Sequence, residues 1–139
     1  MSEAKIAEPT PNSERTPYVI LGGEAVVRRL VDTFYDQMDE DPDYFVIRKL
    51  HAQSLTGSRE KFYKFLTGWL GGPPLYTDEF GHPRLRMRHM PYPIGSIERD
   101  QWMTCMASAM DAVGVEAEMK ARLIGSFANT ADWMRNKEG

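Results

Sequence analysis

Residues 71–93 gather many of the side chains in this chain that are suited to chemistry. His82, His89, Arg84, Arg86, Arg88, Tyr76 and Tyr92 lie in a stretch otherwise rich in glycine and proline. Arginine forks match carboxylate or phosphate groups, and the two imidazoles are candidate metal ligands. A long irregular segment inside a small domain is usually functional or disordered, and the proline and aromatic content argues against disorder. Each residue also has a plainer reading. His89 fits a surface or helix-end histidine, the arginines a solvated face, and Phe62, Phe65, Trp69 and Trp102 a hydrophobic core. Tyr35 reads equally as a core tyrosine whose hydroxyl finds a partner. Spacing removes the common metal motifs: there is no H-E-x-x-H and no calcium-binding loop pattern. Pro83 argues against one continuous helix from His82 to His89.

The elements that must position these residues are helical. From about Glu24 to Met38, residues Val27, Leu30, Val31, Phe34 and Met38 fall at helical spacing, and Asp39 to Pro42 ends the run. Residues 44–50 form a short apolar segment read as a short helix. From about Gly57 to Leu70, Phe62, Phe65, Leu66, Trp69 and Leu70 make one apolar face, opposite Arg59, Glu60, Lys61 and Lys64. Gly71-Gly72-Pro73-Pro74 stops that helix, and a loop is expected to Pro83. Arg84 to His89 suits a short helix closed by Pro91 and Pro93. Ser96 is expected to cap the next long helix, with Glu98 in its first turn. That helix carries Trp102, Cys105, Met106, Ala109, Met110 and Val113 inward. The last helix runs from about Glu116 to Arg135. No strand pattern competes, so the class is all-α.

Composition sets outer limits. The chain has 139 residues, enough for one domain with a sizeable core. Residues 1–16 are polar, read as a disordered tail, and leave 17–139 as the folded domain. A net charge of −3 provides no electrostatic footprint for nucleic acid or an anionic membrane. A single cysteine, Cys105, excludes an intrachain disulfide framework and thiolate-rich metal clusters. No secretory signal or membrane-spanning run is visible, so a cytoplasmic location is expected.

Three blocks change the weighting together. They are Phe34-Tyr35, then Phe65-Leu66-x-x-Trp69-Leu70-Gly71-Gly72-Pro73-Pro74-Leu75-Tyr76, then Gly81-His82-Pro83-Arg84-Leu85-Arg86-Met87-Arg88-His89-x-Pro91-Tyr92-Pro93-Ile94 with Glu98-Arg99-Asp100-x-Trp102. In order and spacing, from about Tyr18 to Trp133, the series resembles the group II truncated haemoglobins.

That resemblance implies a truncated globin fold, a two-over-two helical sandwich around haem b. It makes His89 the protein ligand to a five-coordinate iron. It places Tyr35, Trp102 and His51 on the ligand side as the polar residues that stabilise a bound molecule. Ser58 matches the distal-histidine position of ordinary globins, so no distal-histidine mechanism is implied. Phe62, one turn on, is bulkier than the aliphatic residue expected there. Phe62, Phe65, Leu66, Trp69, Met87, Ile94 and Met106 are the implied lining of the haem slot. Arg86 and Arg84 are candidate partners for the propionates, with Tyr76 and His82 as neutral partners.

The function implied is reversible binding of oxygen, nitric oxide, carbon monoxide or another small ligand. Redox catalysis on the same scaffold, as nitric oxide dioxygenation or peroxidase-like turnover, is the alternative. It would need an external reductase, since no flavin or nicotinamide fingerprint is visible. A haem-free helical interaction module is the reading that composition alone leaves open.

Overall fold

The computed structural model describes residues 16–137, and every regular element among them is helical. The expected N-terminal tail lies outside the described residues except for Thr16, which caps the first helix. Its hydroxyl accepts from the Val19 N–H at 3.3 Å, and Pro17 takes the first helical position. This helix, α1, spans Pro17–Leu21.

Four long helices carry the core. They are α2 (Glu24–Glu40), α4 (Thr56–Trp69), α7 (Ser96–Ala112) and α8 (Ala117–Trp133). A 3₁₀ turn (Pro42–Tyr44) and the short α3 (Phe45–Arg48) follow α2. Two short helices, α5 (Leu75–Phe80) and α6 (Leu85–His89), lie between α4 and α7. Helix α2 packs on both α4 and α7, and α7 packs on α8. One pair, α2 with α4, thus lies over a second pair, α7 with α8. The stack of Trp69 on Phe127, with ring centres 4.5 Å apart, ties α4 to α8 across the sandwich.

The core sits where the pairs meet. Val27, Leu30, Val31 and Phe34 of α2 are at most 1% exposed, as are Leu66 of α4 and Met106 and Met110 of α7. This burial is the main stabilising force for helices whose isolated segments would be marginal. Cys105 sits in the same core, and its thiol donates to the Phe34 carbonyl at 3.3 Å. Burial pushes its pKa up to about 11.

Three local expectations change. The expected loop after Pro74 contains α5, which begins directly behind the two prolines. Helix α7 starts at Ser96, but Gly95 is its cap residue: Glu98 Oε1 accepts the Gly95 N–H at 2.8 Å. The inward face of α4 is broader than expected: Tyr63 and Thr67 join Leu66 and Leu70 in the core, while Phe62, Phe65 and Trp69 are half-buried beside them. Thr67 meets its polar need locally by donating to the Tyr63 carbonyl at 2.8 Å.

The Gly71-Gly72 pair does more than stop α4. Gly71 has φ +96, in the left-handed region, and a Cβ on Gly72 would lie 2.7 Å from the Tyr18 ring. The Tyr18 N–H donates to the Leu70 carbonyl at 2.9 Å, so the start of the described chain is seated on the end of α4.

Candidate functional site

Tyr35 is buried at 6% exposure on α2, with its ring edge-on to Phe34 at 5.0 Å. Phe34 also meets Trp102 of α7 at 5.3 Å and Phe62 of α4 at 5.7 Å. Phe62 lies 6.1 Å from Tyr35 and 6.2 Å from Trp102. Three long helices therefore bring three of the expected residues into one aromatic cluster, with Phe34 as its buried floor. Phe62 and Trp102 are only half-buried, so the cluster has an accessible side.

Among the described residues, the Tyr35 hydroxyl and the Trp102 indole N–H have no hydrogen-bond partner. A buried hydroxyl left unpaired costs about 1–3 kcal/mol. Burial, opposed by the Arg59 charge, raises the Tyr35 pKa far above its ordinary value, so the group stays a neutral donor. Phe34 and Phe62 bring these two donor-bearing rings into the same aromatic cluster.

His51 completes this side. Its ring lies 5.8 Å from Tyr35, edge to face. Its Nδ1 is 2.8 Å from the Ile47 carbonyl, which can only accept, so Nδ1 carries the proton and Nε2 is left as an acceptor. Burial is the largest influence on His51 and lowers its pKa. The bond to Ile47 opposes this, and the charges of Arg48 and His89 reinforce it. The loop that carries His51 is held by Arg48. Its guanidinium donates to the Ala52 carbonyl at 3.0 Å, the Gln53 carbonyl at 2.7 Å and Asp39 Oδ1 at 2.8 Å.

His89 ends α6 and is half-buried. Its Nδ1 is 2.6 Å from the Leu85 carbonyl one turn back. The same logic fixes the tautomer: Nδ1 donates, and Nε2 keeps a lone pair with no partner among the described residues. His89 is close enough to His51 for its charge to disfavour protonation there.

The remaining expected residues divide. Phe65 and Trp69 continue the half-buried stripe of α4, with Phe65 6.2 Å from the Tyr76 ring and Trp69 on Phe127. Ser58 is half-buried in the first turn of α4. Leu66 and Met106 are enclosed in the core at 0% exposure, whereas Met87 is 57% exposed. Ile94 is half-buried, and its backbone pairs with Asn136. His82 is exposed and accepts the Arg84 N–H at 3.0 Å; this bond accompanies an Arg84 backbone at φ +48, a left-handed conformation rare for arginine. Arg86 turns toward the end of α8, donating to the carbonyls of Trp133 at 3.1 Å and Arg135 at 3.5 Å.

Sequence reasoning passed over Arg48 and Asn136, each of which binds backbone groups beside an expected site histidine. Arg48 closes a nearby loop, whereas Asn136 reaches across more than forty residues, and neither bond leaves a pattern in residue spacing. Among the described residues no three His, Cys, Asp or Glu side chains come together to hold a metal ion. A lone ligating imidazole fits a metal whose other ligands arrive with a prosthetic group. The residues present fit haem in their chemistry: an imidazole whose Nδ1 is held by a backbone carbonyl, and a half-buried stripe of aromatic side chains on α4.

Comparison with known proteins agrees with this geometry. The family model described as bacterial-like globin matches residues 16–136. The chain is 43% identical over 125 residues to the group 2 truncated haemoglobin YjbI of Bacillus subtilis (strain 168), covering 90% of this chain and 92% of that protein. It superposes on the group II 2-on-2 haemoglobin of the plant pathogen Agrobacterium tumefaciens with a TM-score of 0.85 and 39% identity, each chain fully covered at 100%. It superposes also on a truncated oxygen-avid haemoglobin from Bacillus subtilis, with a TM-score of 0.80, 44% identity, and 87% and 99% of the two chains covered. The chain belongs to the bacterial-like globins, and within them to the group II truncated haemoglobins with their two-over-two fold.

Proposed function

We propose that this globin holds haem b through His89 and binds a diatomic ligand reversibly, with oxygen as the principal candidate and Tyr35 and Trp102 as its hydrogen-bond donors. The observation that carries the reading is the pairing of a tautomer-fixed imidazole lone pair with two donors that have no acceptor among the described residues. The similar Bacillus subtilis structure is described as oxygen-avid, and the present site has the chemistry that retention requires.

When bound, haem would supply an iron able to take a small diatomic ligand. The chain supplies everything else. The Leu85 carbonyl orients His89 and strengthens its basicity through Nδ1. Phe62, Phe65 and Trp69 offer apolar area and exclude water. Tyr35 and Trp102 present donors to the negative charge that a polarised ligand carries. His51 lies edge to face with Tyr35, and with its Nδ1 proton held by the Ile47 carbonyl the neutral ring has no donor left for the ligand, so its role is to pack beside Tyr35. Arg84, whose side chain has no hydrogen-bond partner among the described residues, would meet a propionate, whereas Arg86 already donates to the end of α8. Carbon monoxide and nitric oxide are further candidate ligands, read by the same pocket.

The test is optical. Protein supplemented with haem and desalted is expected to keep a Soret band, with distinct ferric, ferrous and carbon monoxide-bound spectra. His89→Ala is expected to lose or alter all three. Failure of the wild type to retain a Soret band would refute haem binding, and an unaltered His89→Ala spectrum would refute the ligand assignment.

A further inference from the structure

We propose that Asn136 is a positioning residue for His89: it fixes the backbone leaving the histidine and so the direction in which Nε2 is presented. This inference rests on the reading of His89 as the haem ligand. Helix α6 has five residues, far fewer than a helix needs to persist by itself. The histidine at its end is therefore placed by whatever holds the chain on either side.

On the entering side, the Arg84 N–H is held by His82 and Arg88 Nε donates to the Pro83 carbonyl at 2.9 Å. On the leaving side no helix begins until Ser96, and Pro91 and Pro93 have no N–H to offer. Asn136, 47 residues beyond His89, ties this side down. Its Nδ2 donates to the His89 carbonyl at 3.3 Å and the Tyr92 carbonyl at 2.9 Å. Its Oδ1 accepts the Ile94 N–H at 3.0 Å, and its own N–H donates to the Ile94 carbonyl at 2.8 Å. Only one amide orientation satisfies the three side-chain bonds, because two carbonyls require the NH₂ and one N–H requires the oxygen. Arg86 adds a second tie between α6 and the same terminal turn.

No similar-sized side chain reproduces this set. Aspartate keeps the acceptor for Ile94 but turns negative oxygen on two carbonyls, and leucine fills the space with neither function. The substitutions Asn136→Asp and Asn136→Ala test the role, with Lys137→Ala as control because its side chain is exposed. Two readouts on the haem-loaded protein report His89 directly. One is the iron–imidazole stretching band of the ferrous, ligand-free form by resonance Raman. The other is the rate of haem transfer to excess apomyoglobin.

Both Asn136 variants are expected to shift or broaden the band and to lose haem about tenfold faster, the factor expected for one net hydrogen bond. Lys137→Ala is expected to match wild type. A wild-type band and transfer rate in Asn136→Asp would overturn the positioning role while leaving the haem reading intact. A wild-type protein that takes up no haem would overturn the ligand assignment instead. Should the variants fail to fold, amide exchange of wild-type protein decides: slow exchange at Ile94 supports the tie, and exchange at the unprotected rate overturns it.

Discussion

Tyr35 and Trp102 stand on helices of seventeen residues each, whereas His89 ends a helix of five. The ligand side is held by packing, with Phe34 at 0% exposure beneath Tyr35, Phe62 and Trp102. The histidine side is held by side chains that reach for backbone carbonyls: Arg86, Arg88 and Asn136. The contrast separates two design problems. On the proposed reading, the donors to a small ligand would stand on long packed helices, and the haem ligand on a short segment held by polar ties.

The comparison can be broken at several points. The largest effect is expected from Phe34→Ala, which removes the floor of the packed side. A fully buried phenylalanine truncated to alanine costs about 3–5 kcal/mol, so chemical denaturation should show a loss of that order. A loss near zero would mean that packing does not hold the ligand side.

Tyr35→Phe comes next and should affect ligand and fold in opposite ways. Loss of a hydrogen bond to a polarised ligand speeds oxygen release about ten- to a hundredfold, measured by stopped-flow. Stability of the ligand-free protein should be unchanged or slightly higher, since the hydroxyl has no partner to lose among the described residues.

A smaller change is expected for Arg86→Ala. Its ties to the Trp133 and Arg135 carbonyls are partly exposed, so global stability should fall by only about 0.5–1.5 kcal/mol. Amide exchange should quicken in residues 85–94 and not in α2. Equal acceleration in both would erase the distinction between the two sides.

The smallest effect concerns pH. His51 has a lowered pKa in the fold, so the unfolded chain binds the proton more readily. Its contribution to stability is complete above the unfolded value of about 6.5 and declines as pH falls from there toward the folded value. Melting temperatures of wild type should drop across that acidic window more than those of His51→Phe. Parallel curves would show that His51 is not held neutral.

The long helices were legible because Val27, Leu30, Val31, Phe34 and Met38 repeat at helical spacing. The half-burial of Phe62, Phe65 and Trp69 was not, because Tyr63 and Thr67 look half-polar in sequence yet join the core face. Thr67 does so only by bonding its own helix. Helix α5 was hidden by the two prolines before it and by its brevity. Helix α1 had a readable start in Thr16-Pro17, a cap followed by proline, but too few residues to show a period. His89 was singled out by the family resemblance that its arginine- and proline-rich block carries, whereas Asn136, which bonds its carbonyl, was not. A polar contact to a backbone carbonyl can be made by many side chains from many directions, so nothing in local composition marks it.

The buried thiol of Cys105 carries a consequence for redox behaviour. At a pKa of about 11, only about one molecule in ten thousand carries the reactive thiolate at neutral pH. Its proton is further occupied by the Phe34 carbonyl. Peroxide or nitrosating agents therefore meet a thiol that is both buried and protonated, and two copies of the folded chain cannot become cross-linked through this residue.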